Sequence, residues 1–191
     1  MTTSLSETRD DGPAAHLIGM NLPDVAMPST SGEDIRIQEY STGRWVLFVY
    51  PRTGVPGEAE PAGWDEIPGA RGCTAEACSF RDNLADLLQA GAGKVAGLSV
   101  QSTSYQQEAV QRLHLPYPLL SDETRDLGEA LHLPSFEAAG LTLLSRITLV
   151  IDGLTITHVF YPVFPVEQHV EQVRAWLQSN PARSESRSRN R

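Results

Sequence analysis

The run Trp45-Val46-Leu47-Phe48-Val49-Tyr50-Pro51 is six apolar residues closed by a proline. Six residues is strand length, and a strand with no polar alternation is one buried on both faces. Proline cannot donate to a sheet ladder, so the strand stops there. Downstream, Val95-Ala96-Gly97-Leu98-Ser99-Val100 and Ile147-Thr148-Leu149-Val150-Ile151 read the same way. Leu154 to Phe160 follows the last of these across Asp152-Gly153, a hairpin signal. Gly32 to Ile37 is a short alternating strand and Pro116 to Leu120 another.

Helical periodicity fills the intervals. Ala77, Phe80, Leu84, Leu87 and Leu88 share one face of a helix running from Cys73 to Gln89, ended by Gly91 and Gly93. Ser104 is read as the cap of a helix over 105–114, and Asp122 as opening one of about ten residues that ends near His132. Pro165 starts a last helix whose apolar face is Val170, Val173, Trp176 and Leu177. The order β, β, α, β, α, β, α, β, β, α predicts an α/β fold of thioredoxin-like type, a central mixed sheet with helices on both faces. One domain over 17–179 is expected, between a disordered tail at 1–16 and a disordered basic tail at 180–191.

Composition narrows the function. A net charge of −9 argues against a nucleic-acid surface. No apolar run approaches the roughly 18 residues of a membrane span, and the polar start lacks a signal core, so a cytoplasmic protein is expected. The five histidines, 16, 114, 132, 158 and 169, are scattered and none is near the two cysteines in sequence, so no metal is expected; no haem, flavin or other cofactor is implied either.

Both cysteines fall in Gly72-Cys73-Thr74-Ala75-Glu76-Ala77-Cys78-Ser79-Phe80-Arg81-Asp82. Cys73 at the first turn of its helix meets unpaired N–H groups and the positive end of the dipole, which favour the thiolate. Cys78 is five residues on, so in a wound helix the two Cα atoms are about 8.6 Å apart and their side chains point about 140° apart. A disulfide needs a closer approach. Such a pair suits a two-step cycle: Cys73 is oxidised alone to a sulfenic acid, the helix opens, and Cys78 condenses with it. A thiol-disulfide exchanger would use the closer C-x-x-C.

With Phe48-Val49-Tyr50-Pro51, Gly72-Cys73-Thr74-x-Glu76-Ala77-Cys78 joined to Phe80-Arg81-Asp82, Leu120-Ser121-Asp122 and Ser145-Arg146-Ile147-Thr148-Leu149-Val150-Ile151-Asp152, the chain resembles a peroxiredoxin of the peroxiredoxin Q, or bacterioferritin comigratory protein, subgroup. The resemblance implies reduction of hydrogen peroxide and organic hydroperoxides, with Cys73 the peroxidatic and Cys78 the resolving cysteine. It gives Arg146 the place of the arginine that holds the thiolate and polarises the peroxide, and it implies thioredoxin or a similar thiol as reductant. The assembly is left between monomer and homodimer. The alternatives are a thiol-disulfide oxidoreductase or a peroxide sensor using the same two cysteines.

One departure stands out. The family pattern Pro-x-x-x-Thr/Ser-x-x-Cys would put a hydroxyl three residues before the reactive cysteine, where this chain has Ala70. Pro51 matches the proline, but an insertion over 54–70 separates it from Cys73. Thr53, two residues after that proline, is expected to supply the hydroxyl, with Thr74 second. Trp64 and Ile67 either form a lid over the pocket or bury the insertion itself. Glu76 is read as a complement to the helix dipole, Tyr161 to Pro165 as an apolar loop feeding the last helix, and no histidine is given a role.

Overall fold

The computed structural model describes residues 12–182. Five strands make the central sheet: β3 (Arg44–Val49), β4 (Lys94–Ser99), β5 (Leu119–Ser121), β8 (Ile147–Asp152) and β9 (Thr155–Phe160). Their order is β5-β4-β3-β8-β9, parallel on the β4–β5 side of β3 and antiparallel on the other. The expected mixed sheet is therefore present, with the Trp45 run at its centre. Every residue of β3 is buried. Val46, Phe48 and Tyr50 face one layer, while Trp45, Leu47 and Val49 face the other.

The first layer is made of α2 (Cys73–Asp82), α3 (Leu84–Gln89), α4 (Thr103–Leu113) and α6 (His169–Ser179). Phe80 of α2 stacks on Phe48 with ring centres 4.5 Å apart. The second layer takes α1 (Ile37–Tyr40), α5 (Asp126–Ala130) and the N-terminal segment. Burying both faces of a sheet is what removes the unalternated strands from water.

Arg44 is the polar exception in β3. It pairs through two nitrogens with Asp152, its register partner on β8, at 2.5 and 2.7 Å. A fork-on-carboxylate contact of this kind lets a buried guanidinium keep its charge. Arg44 also donates to the carbonyl of Asn180, tying the end of α6 to the sheet.

Several expected boundaries move. The single helix over 73–89 is two, broken at Asn83 (φ −108°, ψ 11°). There the Asn83 backbone N–H and side-chain amide both donate to the Ser79 carbonyl, a local competition that ends regular helix. The apolar period ran through this break, and Leu88 is 44% exposed as a result. The cap of α4 is Ser102, which accepts from the Tyr105 amide, instead of Ser104. Asp122 does not open a helix at once: its carboxylate reaches forward to the Leu127 and Gly128 amides and caps the shorter α5 from a distance. The strand at 32–37 shrinks to β2 (Ile35–Arg36), paired with an unforeseen β1 (Ala26–Met27), and Ile37 already belongs to α1. A second unforeseen hairpin joins β6 (Ser135–Ala138) and β7 (Leu141–Leu144). After Pro165 a short 3-10 turn, Val166–Gln168, precedes α6.

The expected tail through residue 16 is also too long. Ala14 and Leu17 are buried in the second layer, and His16 Nε2 sits 3.0 Å from the Leu131 carbonyl. Residues 1–11 and 183–191 of the two expected tails lie outside the described residues.

Candidate active site

Gly72 begins the site. Its backbone is left-handed (φ 97°), a conformation that side-chain-bearing residues avoid, and its carbonyl accepts the first bond of α2 from the Glu76 amide. Cys73 is thereby placed at the first turn of α2, 3% exposed, at the base of a cavity of about 640 Å³. Cys78 lines the same cavity, half-buried, inside the unbroken stretch of α2. Both thiols are free.

Arg146, one residue before β8, comes in from below. Its Nη2 is 3.2 Å from Cys73 Sγ and also donates to the carbonyls of Arg71 (2.8 Å) and Gly69 (3.2 Å). Its other terminal nitrogen donates to Glu76, with both side chains almost wholly buried. One short stretch of chain thus holds the guanidinium, through the carbonyls of Gly69 and Arg71 just before α2 and the Cys73 sulfur and Glu76 carboxylate in its first turns. The Cys73 thiol points at the carbonyl of Ala70, 3.6 Å away.

Charge in this site is finely divided. Burial pushes the Cys73 thiol up. Arg146 and the backbone amide of Arg52 pull it back toward the thiolate, while Glu76 pushes it further up. Burial likewise lifts Glu76 to about 7, with Arg146 opposing. One fixed cation therefore faces two groups that compete to become its anion.

Glu76 was missed by the dipole reading. The signal was available: it sits three residues after Cys73 and four before Phe80, so the helical period puts it on the buried face. A buried carboxylate needs a cation, and Arg146 is that cation. Arg146 and Cys73 are brought into contact, and Cys73 and Cys78 are brought together at one cavity.

Thr53 and Pro51 are not. Both are buried, but neither is among the described residues that line the Cys73 cavity. The Thr53 hydroxyl and amide both donate to Gln101 Oε1, and Gln101 Nε2 donates back to the Thr53 carbonyl. This clamp satisfies the hydroxyl away from the sulfur. Thr74 lines the cavity instead. Pro51 ends the β3 ladder just after the Tyr50 amide donates to the Leu98 carbonyl.

The insertion folds against the β6–β7 hairpin. Trp64 is 4% exposed and packs with Ala70, Ala138 and Leu143, its ring 6.3 Å from Phe136. Its other edge forms part of the cavity wall, so Trp64 both anchors the insertion and bounds the site, while Ile67 is half-buried behind it. Among the described residues no cluster of His, Cys, Asp and Glu is arranged to hold a metal, and no helix is long and apolar enough to cross a membrane.

Residues 17–177 match the Redoxin family model. The chain is 30% identical to peroxiredoxin Q of Gentiana triflora over 82% of its length and 64% of the relative's, and 27% identical to peroxiredoxin Bcp of Escherichia coli over 83% of its length and 93% of the relative's. It spans just under two thirds of the length of the peroxiredoxin Q relatives from Gentiana triflora and Suaeda salsa. Among solved structures, peroxidoxin BcpB from Mycobacterium tuberculosis superposes with a TM-score of 0.68 at 26% identity, covering 85% of this chain and 96% of that one. The fold is accordingly thioredoxin-like, and the chain belongs to the redoxin family, where the relatives it matches are peroxiredoxins of the Q/Bcp type.

Proposed function

We propose that this chain is a thiol peroxidase that reduces hydroperoxides at Cys73 and resolves the product with Cys78. The observation that carries the reading is the 3.2 Å contact between Arg146 and Cys73 Sγ at a helix start, in a cavity that Cys78 shares.

The Cys73 thiolate attacks the terminal oxygen of a hydroperoxide. A sulfur–oxygen bond forms and the oxygen–oxygen bond breaks; sulfur is oxidised by two electrons to the sulfenic acid. The departing alkoxide takes a proton from water and leaves as the alcohol, or as water from hydrogen peroxide. Arg146 supports the anion on sulfur first and the charge growing on the departing oxygen next. It cannot lose its proton, and its fork of donors is already aimed. The first turns of α2 then open, Cys78 attacks the sulfenic sulfur and water departs, leaving a disulfide. An external dithiol of the thioredoxin type returns the two electrons.

Intact mass after one equivalent of hydrogen peroxide tests this. Loss of about 2 Da signals the disulfide; in Cys78→Ser a gain of about 16 Da signals the trapped sulfenic acid. An unchanged mass in both proteins would end the peroxidase reading. Insulin reduction without peroxide consumption would favour a thiol-disulfide oxidoreductase, which the wound C-x-x-x-x-C helix disfavours.

A further inference from the structure

The helix that carries both cysteines is fastened differently on either side of Cys78. Before it, Cys73 and Glu76 meet the Arg146 guanidinium, and the Ala77 carbonyl accepts from Tyr117. Beyond it, the contacts of α2 run to other parts of the fold. Phe80 is fully buried, stacked on Phe48 and edge-on to His169. Arg81 Nη1 donates to the carbonyl of Leu113 at 2.6 Å. Leu113 is the last residue of α4, and a carbonyl there has no partner within its own helix. Asn83 then closes α2 with two donations to the Ser79 carbonyl.

The point that Arg81 grips is itself held. Arg112, one residue before Leu113, pairs with Glu108 in its own helix and donates to the Gly54 carbonyl at 2.9 Å. The buried Gln106 ties α4 to the sheet by donating to the Leu120 carbonyl at 2.8 Å. Oxidation of Cys73 acts on one side only. A thiolate facing Arg146 becomes a neutral sulfenic acid, so the attraction that holds the first turn falls. The hydrogen bond from Arg81 to Leu113 and the stack of Phe80 on Phe48 involve neither sulfur and keep their strength.

We infer that Arg81 is a positioning residue for the second step: it bolts the Cys78 segment to the end of α4, so that only the turns carrying Cys73 open and the oxidised sulfur is brought to a stationary thiol. The inference rests on the peroxidase reading of Cys73 and Cys78. In the step itself the sulfur–sulfur bond forms, the sulfenic sulfur–oxygen bond breaks, and the hydroxyl leaves with the Cys78 proton as water. Holding one partner still shortens the search by the other, which is what orientation contributes to a reaction between two groups.

The direction of the effect separates this role from plain support of the helix. Arg81→Met removes the donor and keeps a long apolar stem. If Arg81 only stabilised α2, its loss would ease opening and quicken resolution, as loss of the Tyr117 pin should. A positioning role predicts the reverse: conversion of sulfenic acid to disulfide slows about tenfold. Arg81→Lys should keep most of the rate. Excess peroxide should carry more of Arg81→Met to the sulfinic acid, about 32 Da above the reduced mass. Resolution as fast as in the wild type, or faster, would overturn the inference and leave the peroxidase reading intact. Hydrogen exchange needs no change at Arg81, so the test survives a misfolded Arg81→Met. In Cys78→Ser, oxidation by one equivalent of hydrogen peroxide should speed exchange at the Glu76 and Ala77 amides while those of Asp82 and Asn83 stay protected. Exchange rising equally at both pairs would overturn the inference. Protein whose mass peroxide leaves unchanged would refute the peroxidase reading, and this inference with it.

Discussion

Arg146 Nη2 stands 3.2 Å from Cys73 Sγ while the same guanidinium, through its other terminal nitrogen, is held by the buried carboxylate of Glu76. The cation beside the sulfur is thus itself aimed by a second anion. Replacing it by glutamine should lower the rate of Cys73 oxidation by about a hundredfold to a thousandfold, the range for losing one pre-aimed donor. Arg146→Gln also strands Glu76, so part of the loss would come from destabilisation. The double variant Glu76→Gln/Arg146→Gln should regain stability without regaining rate. Stopped-flow oxidation and urea unfolding of the single and double variants separate the two; rate returning along with stability would make Arg146 a structural residue only.

Glu76 also shapes the pH profile. Its carboxyl titrates near 7, and once ionised it pushes the Cys73 thiol up. Raising pH through about 7 therefore hinders thiolate formation just as hydroxide promotes it, and the wild-type profile should be stretched toward high pH. Glu76→Gln keeps an oxygen for Arg146 and removes the charge. Its thiol should titrate at lower pH, read as the pH dependence of Cys73 alkylation in a Cys78→Ser background. A profile unmoved or shifted upward would show that Glu76 does not compete for Arg146.

The Tyr117 hydroxyl donates to the carbonyl of Ala77 at 2.6 Å, pinning α2 between the two cysteines. Disulfide formation requires this part of the helix to open. Tyr117→Phe removes one neutral hydrogen bond, worth about 1 kcal/mol, and should raise the open population roughly fivefold. The conversion of sulfenic acid to disulfide, followed by tryptophan fluorescence or quenched mass, should quicken by a similar factor while the first oxidation is unaffected. An unchanged second step would place the rate-limiting opening elsewhere in α2.

These particulars explain what could be read in advance. Unbroken apolar runs such as Trp45–Tyr50 announce a sheet buried on both faces, and Cys73, Cys78 and Arg146 each stand in a short motif that marks them as candidates. What escaped depends on partners distant in sequence. The hydroxyl of Thr53 is taken by Gln101, and the charge of Glu76 is fixed by Arg146. The β6–β7 hairpin has short strands with exposed positions and little periodicity. It becomes a site element because Trp64 from the insertion packs on it, a contact that no local pattern encodes.

His169 is a buried histidine that the proposed chemistry leaves unused. Its Nε2 lies 2.7 Å from the Thr148 hydroxyl, and its ring meets Phe80 and Phe160 edge-on with centres 6.0 and 5.5 Å away. Burial, with Arg146 adding to it, lowers its titration from 6.5 to about 4. In the unfolded chain the ring takes a proton near 6.5; in the folded protein it stays neutral until about 4. Stability from this residue is therefore whole above about pH 6.5 and is lost as pH falls toward about 4, by at most about 3 kcal/mol. Glu76, raised to about 7, contributes in the opposite sense, losing stability as pH rises from 4.5 to about 7. Subtraction against a variant isolates each. His169→Gln can still bond Thr148 but does not titrate. Its urea midpoint should fall less than that of the wild type between about pH 7.5 and about pH 5, with the wild type losing its advantage at the acid end. Parallel midpoints across that interval would mean that His169 is protonated in the folded protein, and that the Thr148 contact is made by an imidazolium.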